Sequence, residues 1–293
     1  MALTDEKTAV CLPVDGWDIQ SLTSESDEEG EYAAMYLDNN FPHLSFCSKK
    51  GVGYMKWTGN SWEKQYIPSN GEIYKFTSMV VSNNFPHIAY YDCTNGDLKY
   101  ARWTGSSWDI QVVDSIGQVG KYTSIVIDDD NFPHIAYHDC TNGDLKYARW
   151  AGSSWDIQTV DSIGIVGEDT SIAISNNFPH IAYYDTTNGD LKYARWTGSS
   201  WDIQTVDSTD QVGEYTSIVV DANNYPHISY YGNSDLKYAY WSGSGWKIQT
   251  IDAEGIVGLD TFIMFDKQGR LHISYYNYSK KVLKYAVTTL NSK

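Results

Sequence analysis

The sequence predicts an all-β fold, a six-bladed β-propeller with four antiparallel strands per blade, and three observations carry that expectation. Trp17, Trp62, Trp108, Trp155, Trp201 and Trp246 recur at spacings of 45, 46, 47, 46 and 45 residues, and self-similarity at forty-odd residues marks a stacked or radial array. Each unit contains four short alternating segments separated by turn signals. The two ends of the chain are complementary, each supplying what the other lacks.

Residues 122–161 represent one unit: YTSIVID, PHIAYHD, LKYARWAG and SWDIQTVD, which we call strands a, b, c and d. Asp, Asn and Pro separate a from b. Strands b and c are joined by Thr-Asn-Gly-Asp, whose Asn-Gly suits a tight type I′ hairpin. Gly-Ser-Ser joins c to d. Three short joints make an antiparallel meander, whereas a longer link such as SIGQVGK steps to the next sheet.

The N-terminal unit contributes only a d strand, GWDIQSL (residues 16–22), and the last unit has a, b and c (TFIMFD, LHISYYN, LKYAVTTL) without d. Joining them completes a sixth blade. Such a velcro closure removes the exposed edges of an open array. The expected organisation is a tail over residues 1–15 and one propeller domain over 16–293.

Antiparallel partners share a constant index sum, which sets the register. If Trp103 faces Trp108 across the c/d turn, Arg102 faces Asp109 and Tyr100 faces Gln111. By the same rule Arg149 meets Asp156, Arg195 meets Asp202, Lys56 meets Glu63 and Tyr240 meets Lys247. At the closure, Tyr285 is expected opposite Gln20. One blade face then carries Ile88, Tyr90, Ala101, Trp103, Trp108 and Ile110, and the other carries His87, Tyr91, Tyr100, Arg102, Asp109 and Gln111. Apolar faces packing on mixed faces leave a polar seam between blades, whose buried atoms need partners.

The formal charge of −16 over 293 residues argues against a nucleic-acid partner, because phosphate binding needs a clustered basic surface. Cations, sugars and neutral or basic proteins remain. No run approaches the roughly 20 apolar residues of a membrane span, and the first residues lack the apolar stretch of a signal peptide. A soluble chain is expected, of undetermined compartment; a secreted protein after removal of its leader reads the same way. Cys93 and Cys140 occupy equivalent places in adjacent repeats and are expected as free thiols, since ring symmetry holds them beyond the roughly 7 Å reach of a disulfide.

Candidate sites divide between repeated and variable positions. His43, His87, His134, His180, His227 and His272 recur once per blade, too far apart to cluster on a metal, and are expected to bond backbone or a neighbouring hydroxyl. The strand-d Trp is present in every repeat, as an architectural wedge requires. The strand-c Trp appears at Trp57, Trp103, Trp150, Trp196 and Trp241 but gives way to Thr288. Either packing or sugar stacking suits it. The full b/c hairpin occurs three times, Asp92–Asp97, Asp139–Asp144 and Asp185–Asp190, where clustered oxygens suit calcium and the same residues suit a turn. Calcium is thus the one cofactor left open. His138 alone departs from its repeat, beside Asp139, with no nucleophile to accompany it.

The Gly-containing turn leading into a Trp, WTGSSW at residues 103–108 and again at 196–201, resembles β-propeller families with lectin-like or sialidase-like Asp-box blades, although the Asp of the box is missing. The sialidase arginine triad has no counterpart that can be assigned, so that activity is not carried over. The resemblance to propeller lectins implies sugar binding in clefts between blades, repeated around the ring. The expected function is therefore a multivalent recognition module for glycans or another repetitive surface, with no catalytic residues assigned. A protein-interaction scaffold is the alternative, and a hydrolase or lyase over the central channel the third. Ligand candidates are Trp103, Trp150, Trp196 and Trp241, with the hairpin residues Asp92, Asn95, Asp139, Asn142, Asp185 and Asn188.

Overall fold

The computed structural model describes residue 22, residues 30–68 and residues 74–288. They form a six-bladed β-propeller. The blades cover residues 31–66, 74–114, 119–161, 166–207, 212–252 and 257–287. Blade 3 is representative, with strand a at Val119–Ile127, b at Pro133–Asp139, c at Asp144–Trp150 and d at Trp155–Asp161. The first five sheets have four antiparallel strands in sequence order; blade 6 has three, Val257–Phe265, Leu271–Asn277 and Val282–Val287. The closing strand expected at 16–22, with Trp17 and Gln20, lies outside the described residues except for Leu22.

Strand a is innermost and touches strand a of the next blade. Its Thr-Ser pair explains how. The Thr hydroxyl donates back to a carbonyl of the preceding blade, as Thr77 does to Tyr32 at 2.6 Å and Thr261 to Tyr215 at 3.3 Å. The Ser hydroxyl accepts an amide from the following blade, Ile125 on Ser78 at 3.1 Å and Ile218 on Ser171 at 3.2 Å. To present its carbonyl sideways, the residue before each Thr, or before Ala33 in blade 1, leaves the extended region: Tyr32, Phe76, Tyr122, Asp169, Tyr215 and Asp260 all have φ between 49° and 55°. Left-handed backbone is uncommon for bulky residues, and here it coincides with a bulge in the a/b register.

The cross-strand register is the one read from the sequence. Trp103 pairs with Trp108, Arg102 with Asp109, Tyr100 with Gln111, Arg149 with Asp156, Arg195 with Asp202, Lys56 with Glu63 and Tyr240 with Lys247. The hairpins need a correction. Between b and c, Asp139 pairs with Asp144 across four residues, the Gly143 amide donates to the Asp139 carbonyl at 2.7 Å, and Gly143 has a φ of 77°. Because Asn142 is absent from the left-handed positions, this is not a type I′ turn. Two-residue turns with both φ values positive occur instead between a and b, at Asn39-Asn40, Asn83-Asn84 and Asn176-Asn177.

The strand-d Trp is the expected wedge. Trp155, Trp201 and Trp246 each set an edge against a strand-c Tyr of the preceding blade, Tyr100, Tyr147 and Tyr193, with ring centroids 5.2–5.3 Å apart. Their indole nitrogens donate to Gln111, Gln158 and Gln204 at 2.9–3.0 Å. Those Gln amides in turn donate to Asp109, Asp156 and Asp202. Apolar face on mixed face is the observed packing, as where Ile135, Tyr137 and Ala148 meet Ala89, Leu98 and Tyr100. Approach at the seam is close enough to exclude a side chain at Gly213, where a Cβ would lie 2.7 Å from Leu191 Cα.

Candidate functional site

The side chains singled out by sequence fall at opposite ends of the blades. Strand c runs from the b/c hairpin to the c/d turn, and seven residues at a strand rise put its ends about 20 Å apart. Asp92, Asn95, Asp139, Asn142, Asp185 and Asn188 lie at the hairpin end, and Trp103, Trp150, Trp196 and Trp241 at the other. The structure does not bring the two groups together.

At the hairpins the polar atoms serve the turn. Asp139 is buried; its Oδ1 accepts the amides of Thr141 and Asn142 at 2.9 and 3.1 Å, and its Oδ2 accepts the Asn142 side-chain amide at 2.9 Å. Asp92 and Asp185 accept from Asn95 and Asn188 in the same way, and Lys99 lies 2.6 Å from Asp92. Among the described residues, no group of three His, Cys, Asp or Glu side chains is placed to hold a metal. Cys47, Cys93 and Cys140 are free thiols.

At the opposite end, the strand-c Trp residues lean on the strand-d Trp of the same blade, Trp103 on Trp108, Trp150 on Trp155 and Trp196 on Trp201, with centroids 5.5 Å apart. Each remains partly accessible. Between blades 4 and 5 they wall two adjoining cavities. One, of about 310 Å³, is lined by Tyr193, Arg195, Gln204, Asn224, Tyr225 and Trp241 among others. Its neighbour, of about 330 Å³, is lined by Phe178, His180, Arg195, Trp196, Thr197 and Asn224 among others. Arg195 and Asn224 belong to both.

The electrostatics leave this cleft polar and short of charge. Arg195 is exposed and only 3.8 Å from Asp202, a loose ion pair of the kind worth little in water. His180 shares a hydrogen bond with Tyr193 at 2.5 Å; burial, helped by Arg195, pushes its imidazole down to about 4, so it is neutral near pH 7. All six repeated His residues bond a Tyr hydroxyl this way, the partners being Tyr54, Tyr100, Tyr147, Tyr193, Tyr238 and Tyr285. Of the expected ion pairs across c and d, Lys56–Glu63 forms at 3.3 Å. Arg149 turns instead to Asp128 at 3.4 Å, and Asp156 takes the Gln158 amide. Sequence reasoning missed Asn224 and Tyr225, which lie in an a/b loop and enter the cleft through the packing of blade 5 on blade 4. Asn224 Oδ1 accepts from Asn176 of blade 4 at 2.7 Å and from Ser175.

A further cavity of about 240 Å³ opens on the propeller axis, lined by strand a of all six blades. No side chain around it had been assigned from sequence except through the expectation of a channel.

No protein-family model matches the chain, and no curated protein does. Similar solved structures show the fold. A protein of unknown function from Dyadobacter fermentans is 12% identical, with a TM-score of 0.61 over 88% of this chain and 93% of that one. The SapL1 lectin, solved in complex with alpha methyl fucoside, is 13% identical, with a TM-score of 0.57 over 90% and 97%. The Hadza microbial sialidase Hz136 is 12% identical, with a TM-score of 0.58 over 89% and 66%. A propeller fold thus joins this chain to lectin and enzyme structures alike, and the choice between them rests on its own side chains. No helix is long and apolar enough to cross a membrane.

Proposed function

We propose that this protein is a multivalent glycan-binding module whose sugar seats are the clefts between neighbouring blades. The observation that carries this is the pair of cavities sharing Arg195 and Asn224, each walled by a strand-c Trp. Sugars have apolar C–H faces and a rim of hydroxyls. Trp196, Trp241 and Tyr225 offer aromatic surface to the first, while the Arg195 guanidinium and the Asn224 and Gln204 amides offer hydrogen bonds to the second. Cavities of this size fit one or two sugar rings.

Repetition supports multivalency. Arg102, Trp103 and Trp150 flank the seam between blades 2 and 3 as Arg195, Trp196 and Trp241 flank that between blades 4 and 5, and Asn131 bridges it as Asn224 does, accepting from Ser82 at 2.6 Å. Several weak sites on one rigid ring gain avidity on a repetitive surface. The SapL1 complex supports a sugar ligand for such a fold without identifying one here. A glycan array is the test: signal lost in Trp196→Ala and Trp241→Ala supports the reading. A blank array from folded protein overturns it and leaves the interaction scaffold.

A further inference from the structure

The six left-handed residues of strand a converge on the axis, where Tyr32, Phe76, Tyr122, Asp169, Tyr215 and Asp260 line one cavity with the following Ala33 or Thr in each blade. The carbonyls of Tyr32, Tyr122, Asp169 and Tyr215 accept a Thr hydroxyl of the next blade, which leaves the side chains as the variable part. Around the ring they form two unlike arcs. Tyr32, Phe76 and Tyr122 are consecutive aromatics with centroids 4.8 and 4.9 Å apart. Facing them, two carboxylates flank one aromatic: Asp169, Tyr215, Asp260. Asp169 is tied to this arc, its Oδ2 accepting the Tyr215 amide at 2.9 Å.

Charge around the arcs is equally uneven. Glu168 and Glu214 stand beside the acidic arc and Lys75 and Lys121 beside the aromatic one. Among the described residues, no cationic side chain lies within ion-pair distance of Asp169 or Asp260, or of Glu168 or Glu214. Burial, opposed by the Tyr215 amide and reinforced by Glu214, Glu168 and Asp260, pushes Asp169 up to about 6. Thr123 Oγ1 adds an independent sign. The other Thr hydroxyls described above donate to the preceding blade, whereas Thr123, only 8% exposed and lining this cavity, has no hydrogen-bond partner. The chain already sets one cation on these rings: Lys75 Nζ lies 5.8 Å from the Tyr32 centroid.

We propose that the axial cavity binds an organic cation, its ammonium group held between Asp169 and Asp260 over Tyr215 and its carbon body resting against the Tyr32–Phe76–Tyr122 arc. Aromatic faces attract a cation through their quadrupole, and a partly desolvated carboxylate adds direct charge attraction. The strongly acidic surface draws cations toward it. Two carboxylates among aromatics are too few hard oxygens for calcium, which takes six to eight, but they suit a cation with an apolar coat.

The test is calorimetric titration of the full chain with choline and, separately, with its uncharged tert-butyl isostere. Choline should bind at least about tenfold more tightly than the isostere, and Asp260→Asn and Tyr215→Leu should each weaken it by roughly tenfold. Asp260 is exposed, so its amide variant should retain the fold, checked by circular dichroism. Trp196→Ala should leave choline binding intact, which separates this site from the glycan clefts. Equal binding of the isostere, indifference to Asp260→Asn, or no binding of choline up to about 20 mM overturns the proposal.

Discussion

Tyr137 donates its hydroxyl hydrogen to Asp114 at 2.7 Å, across the seam between blades 3 and 2. Lys146 reaches the same carboxylate from strand c. The arrangement recurs at Tyr183 and Lys192 on Asp161, at Tyr230 and Lys237 on Asp207, and at Tyr275 and Lys284 on Asp252. Burial disfavours the charge on Asp114, but hydrogen bonds from Lys146, Tyr137 and the Ile116 amide outweigh it and hold the carboxyl below its ordinary range.

Removing that acceptor leaves a buried ammonium and a buried hydroxyl unpaired. Asp114→Ala should cost about 3–5 kcal/mol of stability, read as a lowered urea midpoint. Replacing the cation as well, in Asp114→Ala with Lys146→Met, should recover part of the loss. A midpoint unchanged by Asp114→Ala refutes the assignment of these seams as structural.

Acid should weaken the fold in two stages. Burial, with Arg102 and Arg195 contributing, pushes His87 and His180 down to about 4. The unfolded chain therefore binds more protons between about pH 6.5 and 4, and stability falls as pH falls through that window, by up to about 1.4 kcal/mol per histidine per pH unit. Asp169, raised to about 6, acts in the opposite sense from about pH 6 down to about 4 and offsets part of the histidine effect over most of the window. Asp114 and Asp161, held below their ordinary range, contribute stability that is lost only under stronger acid. Denaturant midpoints between pH 7 and 3 should show the first decline, shallower in His87→Asn.

In the blade 4/5 cleft, Trp196→Ala and Arg195→Ala should each reduce glycan affinity by about tenfold or more, the scale of one lost aromatic or charge-assisted contact. Arg195 is exposed and its ion pair loose, so Arg195→Ala should leave the thermal midpoint nearly unchanged. A large stability loss without an affinity change would mark Arg195 as architecture.

Ring closure has its own test at the seam between blades 5 and 6. Tyr238 and Gln249, counterparts of the Tyr193 and Gln204 that hold Trp246, line a cavity of about 330 Å³ with Leu271, Ile273, Ala286 and Val287. Tyr285 on strand c is 59% exposed. If residues 16–22 complete this blade, Trp17→Ala should cost about 3–5 kcal/mol. The pair Gln20→Cys and Tyr285→Cys should form an intramolecular disulfide under oxidation, detected by peptide mapping. Failure of both disproves the closure.

The blade count, the strand order and the c/d register were legible from periodicity and index sums, because antiparallel pairing is local and its arithmetic survives without coordinates. The recurring His was legible as structural for a similar reason, since six symmetric copies cannot converge. The Asn-Gly hairpin was misread because the Asp139 side chain captures two amides and stretches the loop to four residues. The seam triads were written in the sequence as repeated offsets, such as Asp114 to Tyr137 and Lys146, but connecting them requires knowing that d of one blade packs on b and c of the next.

Repeat spacing and alternation alone determined that this chain folds into blades, and matched cross-strand residues set how each blade is paired. Tertiary structure decided where those blades leave room. Asn224 and Arg195 line the same cavities, and Asp169 and Asp260 flank Tyr215 opposite three aromatics, only because the ring brings together residues from separate blades. A pattern local to one strand cannot encode that convergence; it follows from the angle at which successive sheets pack.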